Sequence, residues 1–95
     1  MSTNTEKEKK ENDIEVAVVT TSGSFPEEGF EKVSIHQKVM VILKKAQEKL
    51  KIVSTDKWVA KVGGRIINPD SSYVENNLSG TITIDYGPSE GGGGV

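Results

Sequence analysis

The residues of this chain whose types could take part in chemistry lie at its carboxyl end. Residues 91–94 are four glycines, and Val95 closes the sequence. Glycine has no Cβ atom and loses more conformational freedom on ordering than any other residue, which predicts a thin, flexible tail over residues 88–95. Such an end would be mobile, thin and reachable.

A strand must hold the chain firmly until the tail begins. In residues 81–86, apolar and polar side chains alternate with the period of a half-buried strand. A second strand is predicted over residues 14–21, which are rich in β-branched side chains, and a third over residues 30–35. The glycines and proline between them, in residues 22–29, predict a hairpin loop that exposes Phe25.

The period changes to that of a helix over residues 37–51. Further strands are predicted over residues 57–62, with Trp58 as a core anchor, and over residues 65–67 after a Gly-Gly turn. The apolar residues that give the helix its period are Val39, Ile42, Leu43, Ala46 and Leu50. A short helical turn or compact loop that plugs the core is predicted from Tyr73, Val74 and Leu78, with Asn76 and Asn77 able to bond to nearby backbone.

The composition argues against several classes of function. The 12 basic and 14 acidic side chains give a net charge of −2, which favours neither nucleic acid nor an anionic membrane as a partner. The sequence has no cysteine, and its single histidine, His36, is expected at the surface and not in a metal site. No catalytic or cofactor motif is visible. We therefore expect a protein that is not an enzyme and uses no metal or cofactor.

Length and hydropathy predict one small domain. Among the 95 residues, those from 1 to 13 contain no apolar side chain after Met1, which predicts a disordered N-terminal arm before a domain over residues 14–87. No apolar run approaches the roughly 20 residues of a membrane span, and the polar start lacks the apolar core of a signal peptide. A cytoplasmic monomer is expected.

The order of these elements resembles the β-grasp fold of ubiquitin. Residues 62–65, Val-Gly-Gly-Arg, stand where that family has an apolar residue, a tight turn and a basic residue, and Ile67 stands at its next core position. Tyr73 and Leu78 keep the five-residue separation of its two plug residues. The resemblance extends over roughly residues 14–94. It implies an α+β fold in which one helix lies across a four- to five-stranded mixed sheet.

The arm, the domain and the single residue after the glycines look most similar to bacterial ubiquitin-like modifiers, whose operons also encode activating, conjugating and deconjugating enzymes. The resemblance implies that a peptidase, of the JAB type or another class, removes Val95 to expose Gly94, which follows Gly93. An activating enzyme would then adenylate the Gly94 carboxylate with ATP and capture it as a cysteine thioester. A conjugating enzyme would pass it to lysines of target proteins. An antiviral role is implied by the operons alone.

The chain departs from the ubiquitin pattern at two places. Ubiquitin has an apolar residue on the outward face of its third strand, where this chain has Lys61 beside Val59. The hydrophobic recognition patch is therefore not expected. The arginines that precede the diglycine in ubiquitin are replaced by Pro88, Ser89 and Glu90, so an activating enzyme must recognise other features.

Alternatives to a conjugated modifier remain open from the sequence. A β-grasp binding module would use only its surface, and a sulfur carrier of the same fold would end directly in its diglycine. A glycine run can also be an expression linker. If the chain is a modifier, Lys7, Lys9 and Lys10 in the arm are possible acceptors for polymeric chains.

Overall fold

The computed structural model describes residues 12–89, which form six strands and one helix. This content confirms the predicted α+β class, but the strand count exceeds the four to five expected. The elements are β1 Asp13–Thr20, β2 Gly23–Phe25, β3 Glu31–Ser34, α1 Val39–Lys49, β4 Trp58–Val62, β5 Arg65–Ile67 and β6 Thr81–Pro88.

The sheet is built around its two longest strands. The strand order is β2-β1-β6-β4-β5, and β3 also pairs with β1. The central pair β1 and β6 is parallel, whereas the other pairs are antiparallel. Parallel neighbours need a long crossover connection, and the chain between β1 and β6 contains α1 and the remaining strands. The sheet is therefore mixed, as predicted, with its last strand in the centre.

The core lies between one face of this sheet and α1. Val16, Val18 and Ile84 on the two central strands are fully buried, and Ile82 is 9% exposed. Tyr86 packs against them while half-buried. The buried residues of the helix match its predicted apolar face and are Val39, Ile42, Leu43 and Ala46. Burial of these alternating and helical apolar positions is the main force that holds the helix on the sheet.

The helix is two residues shorter at each end than the predicted residues 37–51, and neighbouring backbone, not a side chain, satisfies the N–H groups of its first turn. Lys38 precedes the helix and makes no side-chain cap bond. The first two backbone N–H groups of α1 instead donate to the carbonyls of Ser71 and Pro69, at 3.0 Å each. Over residues 12–89, no helix is long and apolar enough to span a bilayer.

The first hairpin differs from the prediction. Part of the predicted loop, residues 22–29, forms β2, which pairs with the end of β1 so that Phe25 lies opposite Val18. Phe25 is half-buried and packs against the core, so the prediction that it is exposed is wrong. The third predicted strand, residues 30–35, is β3 with one residue fewer at each end.

The segment between β5 and β6 plugs the core. Tyr73 and Leu78 are 0% and 6% exposed, as predicted for residues that plug the core. Val74 is 43% exposed and is not part of the buried core, unlike the prediction. The buried Asn76 side chain donates to the carbonyls of Asn68 and Ser72, at 2.9 Å each, and its Oδ1 accepts from the Asn68 N–H at 2.9 Å. These three bonds fix the plug between the sheet and the helix.

Candidate functional site

The last strand carries the chain from the core toward its carboxyl end. β6 is flanked by β1 and β4, so it is hydrogen-bonded on both sides. The strand was predicted to end at Tyr86, but pairing with β4 continues until Pro88 lies opposite Trp58. The Ser89 N–H then donates to the Lys57 carbonyl at 3.1 Å. The described chain is therefore held to the sheet up to its last residue.

Trp58 supports this end of the sheet and does not anchor the core. Its side chain is half-buried and lies outside the cluster of buried residues, so the predicted core role is wrong. It is the first residue of β4, where the strand begins and the sheet ends. Its ring meets that of Tyr86 edge-to-face, with centroids 5.1 Å apart and planes at 81°. The quadrupoles of two aromatic rings favour this arrangement.

The predicted conjugation, processing and acceptor residues lie outside the described range. They are Gly93, Gly94, Val95, Lys7, Lys9 and Lys10. Gly94 is five residues beyond Ser89, a span of about 17 Å in a fully extended chain at about 3.4 Å per residue. A carboxylate at Gly94 could therefore reach well beyond the edge of the sheet.

A shallow groove of about 390 Å³ lies beside the end of β6. It is lined by Val19 of β1, by Val59 and Lys61 of β4, and by Asp85 and Pro88 of β6, among others. We call it the exit groove. Its walls combine apolar side chains with one cation and one anion, so it suits a polypeptide surface better than a single charged ligand.

The exit groove opens on the face of the sheet opposite the core, which we call the outer face. Lys61 is the cross-strand partner of Asp85, and Asp85 is also the partner of Val19. On the other side, Lys61 is paired with Ile66 of β5. Residues directly opposite each other share a face of the sheet. We refer to Ile66, Lys61, Asp85 and Val19 as the outer row.

The remaining ionisable groups of interest lie away from the exit groove. His36 is exposed, as predicted, and its backbone N–H donates to the Ser34 Oγ at 3.1 Å. Residues 12–89 contain no group of three or more His, Asp or Glu side chains placed to hold a metal ion. Burial, and to a lesser degree the negative charge of Glu31, raises the pKa of the Tyr73 phenol.

Comparisons with known proteins agree on the architecture. No protein-family model matches the chain, and no curated protein matches its sequence significantly. Among solved structures, a protein designed de novo on the basis of ubiquitin superposes with a TM-score of 0.60 at 18% identity, covering 79% of this chain and 87% of its own. The chain has a ubiquitin-like β-grasp fold.

Two further solved structures share the ubiquitin-like fold. An N-terminal ubiquitin-like domain studied in solution has a TM-score of 0.56 at 19% identity, covering 84% of each chain. A structure described as molecular mimicry of SUMO that promotes DNA repair has a TM-score of 0.56 at 10% identity, covering 77% of this chain and 90% of its own. At these identities the likeness is one of fold.

Within this ubiquitin-like fold, Lys61 lies on the outer face of the sheet, as the sequence predicted. The sequence did not predict that Asp85 would be its neighbour or that Val19 and Ile66 would flank the pair. The available signal was the alternation in each strand, which gives the face of each residue. Cross-strand register cannot be read from alternation alone, so the outer row was missed.

Proposed function

We propose that this ubiquitin-like domain is a protein modifier and not an enzyme, and that its carboxyl-terminal glycine is joined to lysine side chains of target proteins. The observation that carries the proposal is the position of β6. This central strand is bonded on both sides and leads through Ser89 directly toward the glycine run. A strand that is held to the sheet up to Ser89 and followed, after Glu90, by four residues without side chains lets the domain dock outside an enzyme while its carboxylate enters the active site.

The chemistry follows from the free carboxylate at Gly94 once Val95 is removed by hydrolysis of the peptide bond between them. The carboxylate oxygen attacks the α-phosphate of ATP on an activating enzyme, which gives an acyl-adenylate and releases pyrophosphate. A cysteine thiolate of that enzyme attacks the acyl carbon and releases AMP. After transfer to a conjugating enzyme, a target lysine amine displaces the thiolate and forms an isopeptide bond. A branched Val95 would hinder these attacks, which is the reason to expect its removal.

The test uses an activating enzyme of the proposed partner class, together with the peptidase proposed to mature the tail. With ATP, a chain ending at Gly94 is expected to form a covalent adduct that thiol reductants destroy. The chain ending at Val95 should form none until the peptidase lowers its intact mass by one valine residue. As a matched control, Gly94→Ala in the shortened chain adds one methyl group at the reacting residue and should slow adduct formation about tenfold or more.

The alternatives give different outcomes in the same assay. A binding module would form no adduct and would retain its partners without the tail. With a sulfide donor added, a sulfur carrier would exchange the AMP of its acyl-adenylate for sulfide and gain a thiocarboxylate in place of a lysine conjugate. Either result, or equal reactivity of the Gly94 and Val95 forms, would contradict the modifier proposal.

The proposal also has parts that rest on the resemblance to bacterial operons. These are a bacterial source, a role in antiviral defence, a cytoplasmic location and partners of the activating, conjugating and JAB-type deconjugating classes. Lys7, Lys9 and Lys10 are proposed as acceptors for polymeric chains. Arginine at all three positions should then remove polymers while leaving single conjugates on targets.

A further inference from the structure

We infer that the outer face of the sheet is a self-association surface, on which a second copy of this chain docks about a twofold axis. The inference rests on the outer row, whose members come from β5, β4, β6 and β1 in that spatial order. Read across the sheet, their side chains are apolar, positive, negative and apolar. Because they are direct cross-strand partners, they stand in one line on one face.

This order is complementary to itself when it is reversed. A twofold axis that runs parallel to the strands, midway between the two facing sheets and over the point between Lys61 and Asp85, places a second row antiparallel to the first. Lys61 of each copy then faces Asp85 of the other, and Ile66 of each faces Val19 of the other. A twofold interface brings the same patch of both subunits together, so a patch must be self-complementary to form one. The outer row meets that requirement, whereas a face with charges of one sign would repel its copy.

The members of the row are available for such a contact. Ile66 is 60% exposed and Val19 is 37% exposed, although both are large apolar residues. Among residues 12–89, the side chains that form an ion pair are those of Lys45 and Glu31, and neither belongs to the outer row. Lys61 is half-buried and Asp85 is exposed, and neither forms an ion pair with a described residue, so both can form charge-assisted bonds to another copy.

The size of the row limits the strength of the dimer. Four neighbouring strands at about 4.8 Å spacing give a row about 14 Å wide. Such an interface falls at the small end of specific protein contacts, which are weak and transient. The chain should be a monomer when dilute, as expected from the sequence, and should dimerise toward millimolar concentration.

Sedimentation equilibrium of the full chain between about 10 μM and 1 mM, at low and high salt, tests this inference. The weight-average mass should rise toward that of a dimer at low salt. Lys61→Glu or Asp85→Lys alone places like charges opposite each other and should lower the association constant about tenfold or more. The double variant, Lys61→Glu with Asp85→Lys, recreates the complementary order and should restore association to within about threefold.

A matched control changes the same charge on the far side of the molecule. Lys44 is exposed on α1, so Lys44→Glu should leave the association constant unchanged, and all variants should keep the wild-type circular dichroism spectrum. A mass that stays monomeric up to 1 mM overturns the inference. A dimer whose association constant is unchanged by Lys61→Glu and by Asp85→Lys would also overturn it, because the contact would then lie on another surface. So would a double variant that fails to restore the association lost in the single variants, because the two charges would then not face each other across the interface.

Discussion

At the residue scale, the ring of Tyr73 packs in the core, but its hydroxyl group is not matched by a hydrogen-bond partner within residues 12–89. Tyr73 is 0% exposed, and its hydroxyl oxygen has no hydrogen-bond partner among the described residues. A buried polar group without a partner costs about 1–3 kcal/mol, while the ring keeps its contacts if the oxygen is removed. We therefore expect Tyr73→Phe to raise the free energy of unfolding at pH 7 by about 1 kcal/mol. Urea denaturation of the two proteins measures the difference.

The same substitution should change how stability depends on pH. The pKa of Tyr73 is raised in the folded state above its ordinary value of 10, first by burial and then by Glu31. Between these two pKa values the unfolded chain has lost the phenol proton and the folded chain keeps it, so stability decreases as pH rises. Below pH 10 the phenol is protonated in both states, and the free energy of unfolding keeps its full value. Above pH 10 that free energy falls by up to about 1.4 kcal/mol per pH unit. The advantage of Tyr73→Phe should therefore grow from pH 9 to pH 11. A constant difference over that range would contradict the assignment.

At the element scale, two glycines that look alike in the sequence should respond in opposite ways to a methyl group. Gly23 begins β2 with φ of +134°, and a Cβ atom there would lie 3.1 Å from the Leu50 Cδ2. We expect Gly23→Ala to lower the free energy of unfolding by about 1–2 kcal/mol, because both the backbone and the contact oppose it.

Gly87 in β6 provides the comparison for Gly23. It has φ outside the left-handed region, and an added Cβ atom would meet no atom within 4 Å. Gly87→Ala should raise the free energy of unfolding by about 0.4–1 kcal/mol, since alanine restricts the unfolded chain more than glycine does. Thermal unfolding of both variants and the parent measures the sign and the size of each change in stability. An increase for both variants would show that the first hairpin tolerates a side chain at Gly23, and a decrease for both would show that β6 does not tolerate one at Gly87.

The elements also show how far one sequence could predict this fold. Strong periodicity located α1 and the buried face of β6, because the apolar spacing there reflects burial on one side. β2 was missed because its three residues have the composition of a turn and become a strand only through pairing with β1. The outer row was missed because neighbours across strands depend on register. Trp58 was misplaced for a related reason: alternation gave its face correctly but not its position at the end of a strand.

At the scale of the whole molecule, the residues that the proposed function needs follow the described part of the chain. Sheet pairing on β6 reaches Pro88, and the bond from Ser89 to Lys57 follows it. A chain truncated after Ser89 keeps every described contact, so its free energy of unfolding should stay within about 0.5 kcal/mol of the full chain. Truncation after Tyr86 removes the last backbone bonds to β4, at about 0.5–1.5 kcal/mol each, and should cost about 1–2 kcal/mol.

This pair of truncations also separates fold from function. The chain ending at Ser89 should unfold in urea like the parent, yet form no adduct with the activating enzyme and ATP, because it lacks the residues that reach the active site. An adduct on that truncated chain would contradict the conjugation proposal while leaving the ubiquitin-like fold intact. An equal loss of stability in both truncations would instead show that residues 90–95 contribute to the folded body, and the glycine run would then be part of the fold and not a free end for acylation.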